Sequence, residues 1–300
     1  MANQTKVISK YIEIQGGITM KILKTLGALI LTGALGISMV GCGASSGNTA
    51  SSTGAEGNKN LVVGVCPGPY GDMVKEVFTP LLEKKGYRVQ VKEFSDYIQP
   101  DQALNNGEIN ANLMQHTEYL NKFSKDNNLE ISAVKTVPTL GLGVFSNQYT
   151  SIDEIEDGAK VAVPNDGSNL ARALNVLSVN NVITLKDGVD PTKASKLDIA
   201  ENPKNIQLVE VEGAQLARTL ESTDVALIPG NYAYAASLDY SKALAVEPLT
   251  ENYKNVVAVK TADLDSELGK DFKEIMDSED FKNAIEGSKF KDFSKPEWWK

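Results

Sequence analysis

"KVAVPNDGSNLARALNVL", residues 160–177, reads as an apolar strand, a tight polar loop and an apolar helix in direct succession. A short apolar run closed by Pro, Asn and Gly and followed by helical periodicity is the unit of an α/β protein. The unit recurs. "NLVVGVCPGPYGDMVKEVFTPLLEKKG" (60–86) predicts a strand over 61–66, a loop over 67–70 and a helix over 71–85. "EINANLMQHTEYLNKF" (108–123) and "DVALIPGNYAYAASL" (224–238) repeat it. Strands each followed by a helix predict open, largely parallel sheets, whose ligands bind beyond the carboxyl ends of the strands. The loops at 67–70, 115–116, 165–169 and 229–232 are therefore expected to face one region.

Three hundred residues leave room for about two domains. The order of elements divides them into lobe 1, residues 60–145 plus 248–300, and lobe 2, residues 146–247. "NVVAVK" (255–260) reads as a further strand, followed by amphipathic helices over 264–277 and 278–288, and this tail is expected back on lobe 1. Two lobes joined by a crossing chain form a cleft suited to a small molecule.

The N-terminus is of another kind. "MKILKTLGALILTGALGISMVGC" begins at Met20 with Lys21 and Lys24, runs without charge from Leu26 to Val40, and reaches Gly41 and Cys42. The run is shorter than the roughly 20 residues of a comfortable membrane span and has the layout of a secretory signal. Residues 1–19 fit no signal and read as an upstream extension, with Met20 the expected start. "GASSGNTASSTGAEGNKN" after Cys42 reads as a flexible tether over 42–59. Removing residues 1–41 takes away a net charge of +3, leaving −12 against −9 for the full chain. An acidic surface argues against nucleic acid and against an electrostatic membrane patch.

Two cysteines, Cys42 and Cys66, form no disulfide framework, and a single histidine, His116, excludes a His-rich zinc site. No spacing of metal ligands and no complete phosphate loop is present, so neither a metal nor a cofactor is expected. Cys66 and His116 lack a third orienting group for nucleophilic catalysis, and an enzyme is not expected.

Arg172 is the residue that asks for an explanation. It is the only charged residue between Asp166 and Lys186, in a stretch patterned for burial. An unpaired buried charge is very costly, so it needs a partner, either a carboxylate of the chain or one belonging to a ligand. Asn165, Ser168 and Asn169 are candidate caps for a helix over 170–179, whose N-terminus favours an anion. Asn231 in "GNYA" is either a ligand-binding amide or a helix cap. His116 is either structural or functional. Tyr70, Tyr97 and Met114 are either ordinary core or an apolar wall suited to a soft side chain.

"FSDYIQPDQALNNGEINANLMQHTEYL", "VAVPNDGSNLARAL", "ENPKNIQLVEVEGAQLARTL" and "VALIPGNYA" resemble, in order, the methionine-binding lipoproteins of bacterial ABC importers. The similarity covers residues 60–300 and includes the signal ending at Cys42. The resemblance implies a two-lobed periplasmic-binding-protein fold of type II-like form, lipid-anchored through Cys42 on the extracytoplasmic face of the cell membrane. It implies a protein that binds L-methionine or a similar amino acid and delivers it to a membrane permease driven by an ATPase. It also makes Arg172 the clamp on the ligand's α-carboxylate, gives Asn231 the amino-acid backbone, and matches Tyr97 and His116 to pocket positions. Two departures fall on the side-chain pocket. Leu113-Met114 stands where the family commonly has two aromatics, and Tyr70 where it commonly has histidine. Losing an aromatic wall costs roughly 0.5–1.5 kcal/mol of contact, which keeps another apolar amino acid or a methionine-containing dipeptide open as ligand. A module of the same fold that adheres or signals without transport is the other alternative.

Overall fold

The computed structural model describes residues 59–299. The expected upstream extension, the expected signal, Cys42 as the expected lipidation site and nearly all of the expected tether lie outside the described residues.

Two five-stranded mixed sheets organise the chain. The first has the order β2 (Tyr87–Glu93), β1 (Lys59–Val65), β3 (Ala111–His116), β12 (Asn255–Lys260), β4 (Ile131–Thr136). The second has the order β11 (Ala245–Val246), β5 (Gly143–Phe145), β10 (Val225–Ile228), β6 (Lys160–Pro164), β9 (Gln207–Val211). A small hairpin, β7 (Thr184–Leu185) with β8 (Ile199–Glu201), completes the strands. β1 runs parallel to β2 and β3, and β6 parallel to β9 and β10, whereas β12, β4, β5 and β11 pair antiparallel. The parallel strands are the repeated strand–helix units; the antiparallel ones occur where the chain crosses between sheets.

Each quoted unit folds as a strand followed directly by a helix. β1 leads into α1 (Pro69–Met73), which continues through a π-helical turn at Val74–Phe78 into α2 (Thr79–Glu83). α3 (Ile98–Asn106) precedes β3, which leads into α4 (Thr117–Asn127). β6 leads into α5 (Gly167–Val179), and β10, which follows α6 (Leu216–Thr219), leads into α7 (Gly230–Ala235). α8 (Glu267–Asp277) and α9 (Glu279–Glu286) bury Phe272, Ile275 and Met276, and Phe281 and Ile285, on single faces. Serines cap both N-termini, Ser266 accepting from Gly269 N and Ser278 from Phe281 N. These residues join Leu61, Val63, Phe78 and Val257 in the core of the first sheet.

The tail expected on lobe 1 supplies β12 to the first sheet. β5 differs from expectation. Residues 143–145 read as the end of lobe 1, but β5 pairs with β10 and β11 in the second sheet, so the chain leaves the first sheet after Thr136. The return runs from Val246 to Asn255, and the two crossings touch where Glu247 N donates to Leu142 O at 2.9 Å.

Candidate ligand-binding site

The four strand-to-helix loops meet between the sheets. Tyr70, Gln115, His116, Asn169, Arg172, Gly230 and Asn231, with Tyr97, Met114, Tyr119, Leu140 and Asn255, enclose one cavity. All seven residues singled out in the sequence, Arg172, Asn231, Tyr97, His116, Tyr70, Met114 and Asn169, line it. The free space left among them is about 10 Å³, room for about one water. An amino acid therefore enters only if the lobes part or the side chains move.

Asp166, not Asn165, Ser168 or Asn169, caps α5. Its carboxylate accepts from Asn169 N at 2.9 Å, so the helix begins at Gly167 rather than near 170 and Arg172 falls in its second turn. The same carboxylate takes the Asn169 amide, Nδ2 donating to Oδ2 at 3.0 Å. Asn169 Oδ1 is thereby turned toward its two other partners. It lies 3.1 Å from His116 Nε2 and accepts from Arg172 Nη1 at 3.3 Å.

Arg172 has found its partner within the chain. Nε donates to Glu247 Oε1 at 2.7 Å and Nη2 to Glu247 Oε2 at 2.5 Å, with both side chains 4% exposed. Glu247 Oε2 also accepts from Leu142 N at 3.1 Å, which ties the guanidinium to both crossing segments. Burial works against the charged guanidinium, but the Glu247 carboxylate outweighs it by charge and by hydrogen bond, and the pKa stands above its ordinary value. The expectation that the partner comes from outside is corrected to this extent: one edge of the fork is already taken. Of the five N–H groups of an arginine, three have these partners among the described residues, leaving one on Nη1 and one on Nη2. They belong to a side chain that lines the cavity. Glu247, 75 residues away in sequence, carried no signal that would have singled it out.

His116 is neutral. Nδ1 accepts from Tyr119 N at 3.1 Å, so the ring proton sits on Nε2 and is given to Asn169 Oδ1. Burial and then the Arg172 charge push its pKa down to about 3, against the Asn169 hydrogen bond. Asn231 is not a helix cap, since α7 is preceded by Pro229. Its amide joins the lobes instead, Nδ2 donating to Pro67 O at 3.0 Å and Oδ1 accepting from the Tyr97 hydroxyl at 2.6 Å. The close approach needs Gly68, with φ of 137°, where a Cβ would stand 2.7 Å from Asn231. Tyr97 packs on Tyr119 and Tyr232, with centroids 5.4 and 5.0 Å apart, and Met114 belongs to the same buried cluster. Tyr70 is fully enclosed, accepts from Leu140 N at 3.3 Å, and has its pKa raised to about 12 by burial. Gln115, Tyr119 and Asn255 are wall residues that the sequence reading did not single out.

Cys66 is buried just past β1 and donates to Asp96 O at 3.0 Å; burial raises its pKa well above the ordinary value, which keeps the thiol protonated and unreactive. Among the described residues no group of His, Cys, Asp or Glu could hold a metal ion, and no helix is long and apolar enough to cross a membrane.

The family model described as NlpA lipoprotein matches residues 61–298. The chain belongs to the NlpA lipoprotein family. The D-methionine-binding lipoprotein MetQ of Escherichia coli K12 is 34% identical over 269 residues, 88% of this chain and 93% of the relative. A nutrient binding protein from Burkholderia cenocepacia, solved bound to methionine, is 39% identical with a TM-score of 0.72, covering 77% of this chain and 97% of that one. An ABC transporter periplasmic substrate-binding protein from Coxiella burnetii is 34% identical with a TM-score of 0.70, covering 76% and 96%. The NlpA lipoproteins are substrate-binding proteins, not enzymes. The mixed α/β architecture of this chain is that of its periplasmic-binding relatives.

Proposed function

We propose that this chain is the substrate-binding component of an ABC importer, anchored through a lipid on Cys42 at the extracytoplasmic face of the membrane. It binds an amino acid, methionine before others, and hands it to a membrane permease coupled to an ATPase. The observation that carries this reading is the arginine at the centre of the lobe junction. Arg172 is held rigidly along one edge by Glu247 and keeps two N–H groups, a geometry suited to a carboxylate. Neutral His116 and the amides of Asn169, Asn231 and Asn255 offer partners to the rest of an amino-acid head group. Tyr97, Tyr119, Tyr70 and Met114 give a soft apolar wall for a thioether. The names of the relatives agree with the ligand.

Closure follows from the same contacts. Tyr97–Asn231, Asn231–Pro67 and His116–Asn169 all run between elements of the two sheets. Parting the lobes breaks these bonds and the packing of Tyr97 on Tyr232 in the apolar cluster that spans the junction, and a bound ligand adds its own contacts across the gap. Such a hinge closure is the common device of two-lobed binding proteins.

Mass spectrometry of the small molecule released when gently purified protein is denatured, followed by calorimetric titration with L- and D-methionine, tests the reading. Released methionine and saturable binding of either enantiomer are expected. A different released molecule with no methionine heat would overturn the ligand assignment.

A further inference from the structure

Behind Gln115 lies a buried polar cluster that the site chemistry above does not use. Asp101, on α3, is fully buried, and Asn112 and Gln115, on β3, are 0% and 2% exposed. Asp101 Oδ1 takes both available donors, Asn112 Nδ2 at 2.8 Å and Gln115 Nε2 at 2.5 Å. Gln115 Nε2 also reaches Asn112 Oδ1 at 3.2 Å. The other half of each group is left over: Asp101 Oδ2 and Gln115 Oε1 are buried and have no hydrogen-bond partner among the described residues. An ionised carboxylate beside a buried amide oxygen makes two acceptors with no donor, and each acceptor left unpaired in the interior is destabilising.

One proton removes the conflict. On Asp101 it turns an orphan acceptor into an O–H donor, on the group already bound to the amide whose oxygen is the other orphan. An acid and an amide joined at two points satisfy all four atoms. We infer that Asp101 is carried as the neutral acid and is a positioning residue, whose proton fixes the Gln115 side chain in the wall of the ligand cavity and whose loss loosens that wall. The inference concerns the same cavity as the proposed methionine site, but the proton itself does not depend on which ligand binds there.

Among the described residues, the surroundings supply no cation to hold the carboxylate ionised. α3 packs against β1, β3, β4 and β12. The thiol of Cys66, just past β1, and the hydroxyl of Tyr119 on α4 are kept protonated by burial. His116 on β3 is neutral. Lys59 on β1 and Lys135 on β4 are paired with Glu267 and Asp277. Lys260, the last residue of β12, lies by Gly107 at the far end of α3. Burial, opposed by the Asn112 and Gln115 hydrogen bonds, raises the Asp101 pKa to about 7.

The sign of the linkage is fixed. The folded chain holds a proton that the unfolded chain releases near 3.8, so the stabilisation is complete below that pH and is lost as pH rises through about 7. The test compares urea denaturation midpoints of the full chain and D101N between pH 4 and 8, because asparagine supplies the N–H where the acid supplies its O–H. The wild-type midpoint is expected to fall progressively relative to D101N up to about pH 7 and to track it thereafter. A constant gap across the range overturns the proton. L-methionine titration at pH 6 and 8 reads the positioning: wild-type affinity is expected to drop at the higher pH while D101N gives the same value at both. A midpoint gap that opens while both proteins keep equal affinity ratios overturns the role in the wall. Where wild type binds no methionine at either pH, the ligand reading fails and the midpoints still decide the proton. Infrared difference spectra of the wild-type protein decide it should D101N fail to fold. A protonated-carboxyl band present at pH 6 and gone at pH 9 supports the inference, and no such band contradicts it.

Discussion

Arg172 carries a flat fork of donors, and its two edges do different work. The edge formed by Nε and Nη2 is bound to Glu247, which fixes the plane of the guanidinium. The terminal nitrogens keep the two N–H groups that a ligand carboxylate would take. A purely structural arginine and a purely ligand-binding one were the two readings open from sequence; the geometry accommodates both at once. Removing one member of a buried ion pair strands the other, at about 3–5 kcal/mol. R172A is therefore expected to lose methionine binding and also that much stability, read from the denaturant midpoint. An R172A protein as stable as wild type would show that Glu247 finds another partner. The local features of this site were legible in sequence: an isolated charge in an apolar stretch, an amide after a Pro-Gly turn, a histidine at a strand end. Glu247 was not, because an ion pair across 75 residues leaves no periodic trace. The cap was misread for a related reason. Asn165, Asp166, Ser168 and Asn169 are all competent caps, and only the backbone angles choose Asp166.

At the scale of elements, the strand–loop–helix unit carries the fold because its signal is local: an apolar run, a breaker, then helical spacing. β12 and the helices after it were legible for the same reason. β5 was not, since the three residues Gly143–Phe145 are as apolar as the strand of either sheet and only pairing with β10 and β11 decides. The loops between units hold the two lobes to contact distance, and Gly68 is one point of close approach. G68A would place a methyl carbon 2.7 Å from Asn231 and force a side chain to a φ of 137°, a strain of order 1–3 kcal/mol. The expected result is at least a tenfold weaker ligand affinity by titration, with the core packing of each sheet kept. Unchanged affinity would mean that the lobes do not need this approach to close.

Over the whole molecule, two buried groups with opposite linkage shape the response to pH. The His116 pKa is pushed down to about 3 from an ordinary 6.5, so its contribution is present above 6.5 and lost as pH falls below it. Asp101 works in the reverse sense from 3.8 to about 7. Between about pH 4 and 6.5 each contributes a slope of about 1.4 kcal/mol per pH unit, and the slopes offset. The H116Q midpoint is expected to fall relative to wild type as pH rises across this range; a constant difference would mean that His116 takes up its proton in the folded protein. The central claim is that the lobe junction grips a ligand carboxylate through an arginine that Glu247 holds in place. A buried ion pair can be exchanged for apolar residues of similar volume at little cost in stability, so R172M/E247M separates folding from binding. Calorimetric titration of this folded double variant with methionine is the most direct measurement. No detectable binding is expected beside a wild-type protein that saturates; binding within tenfold of wild type would rule out a grip through Arg172.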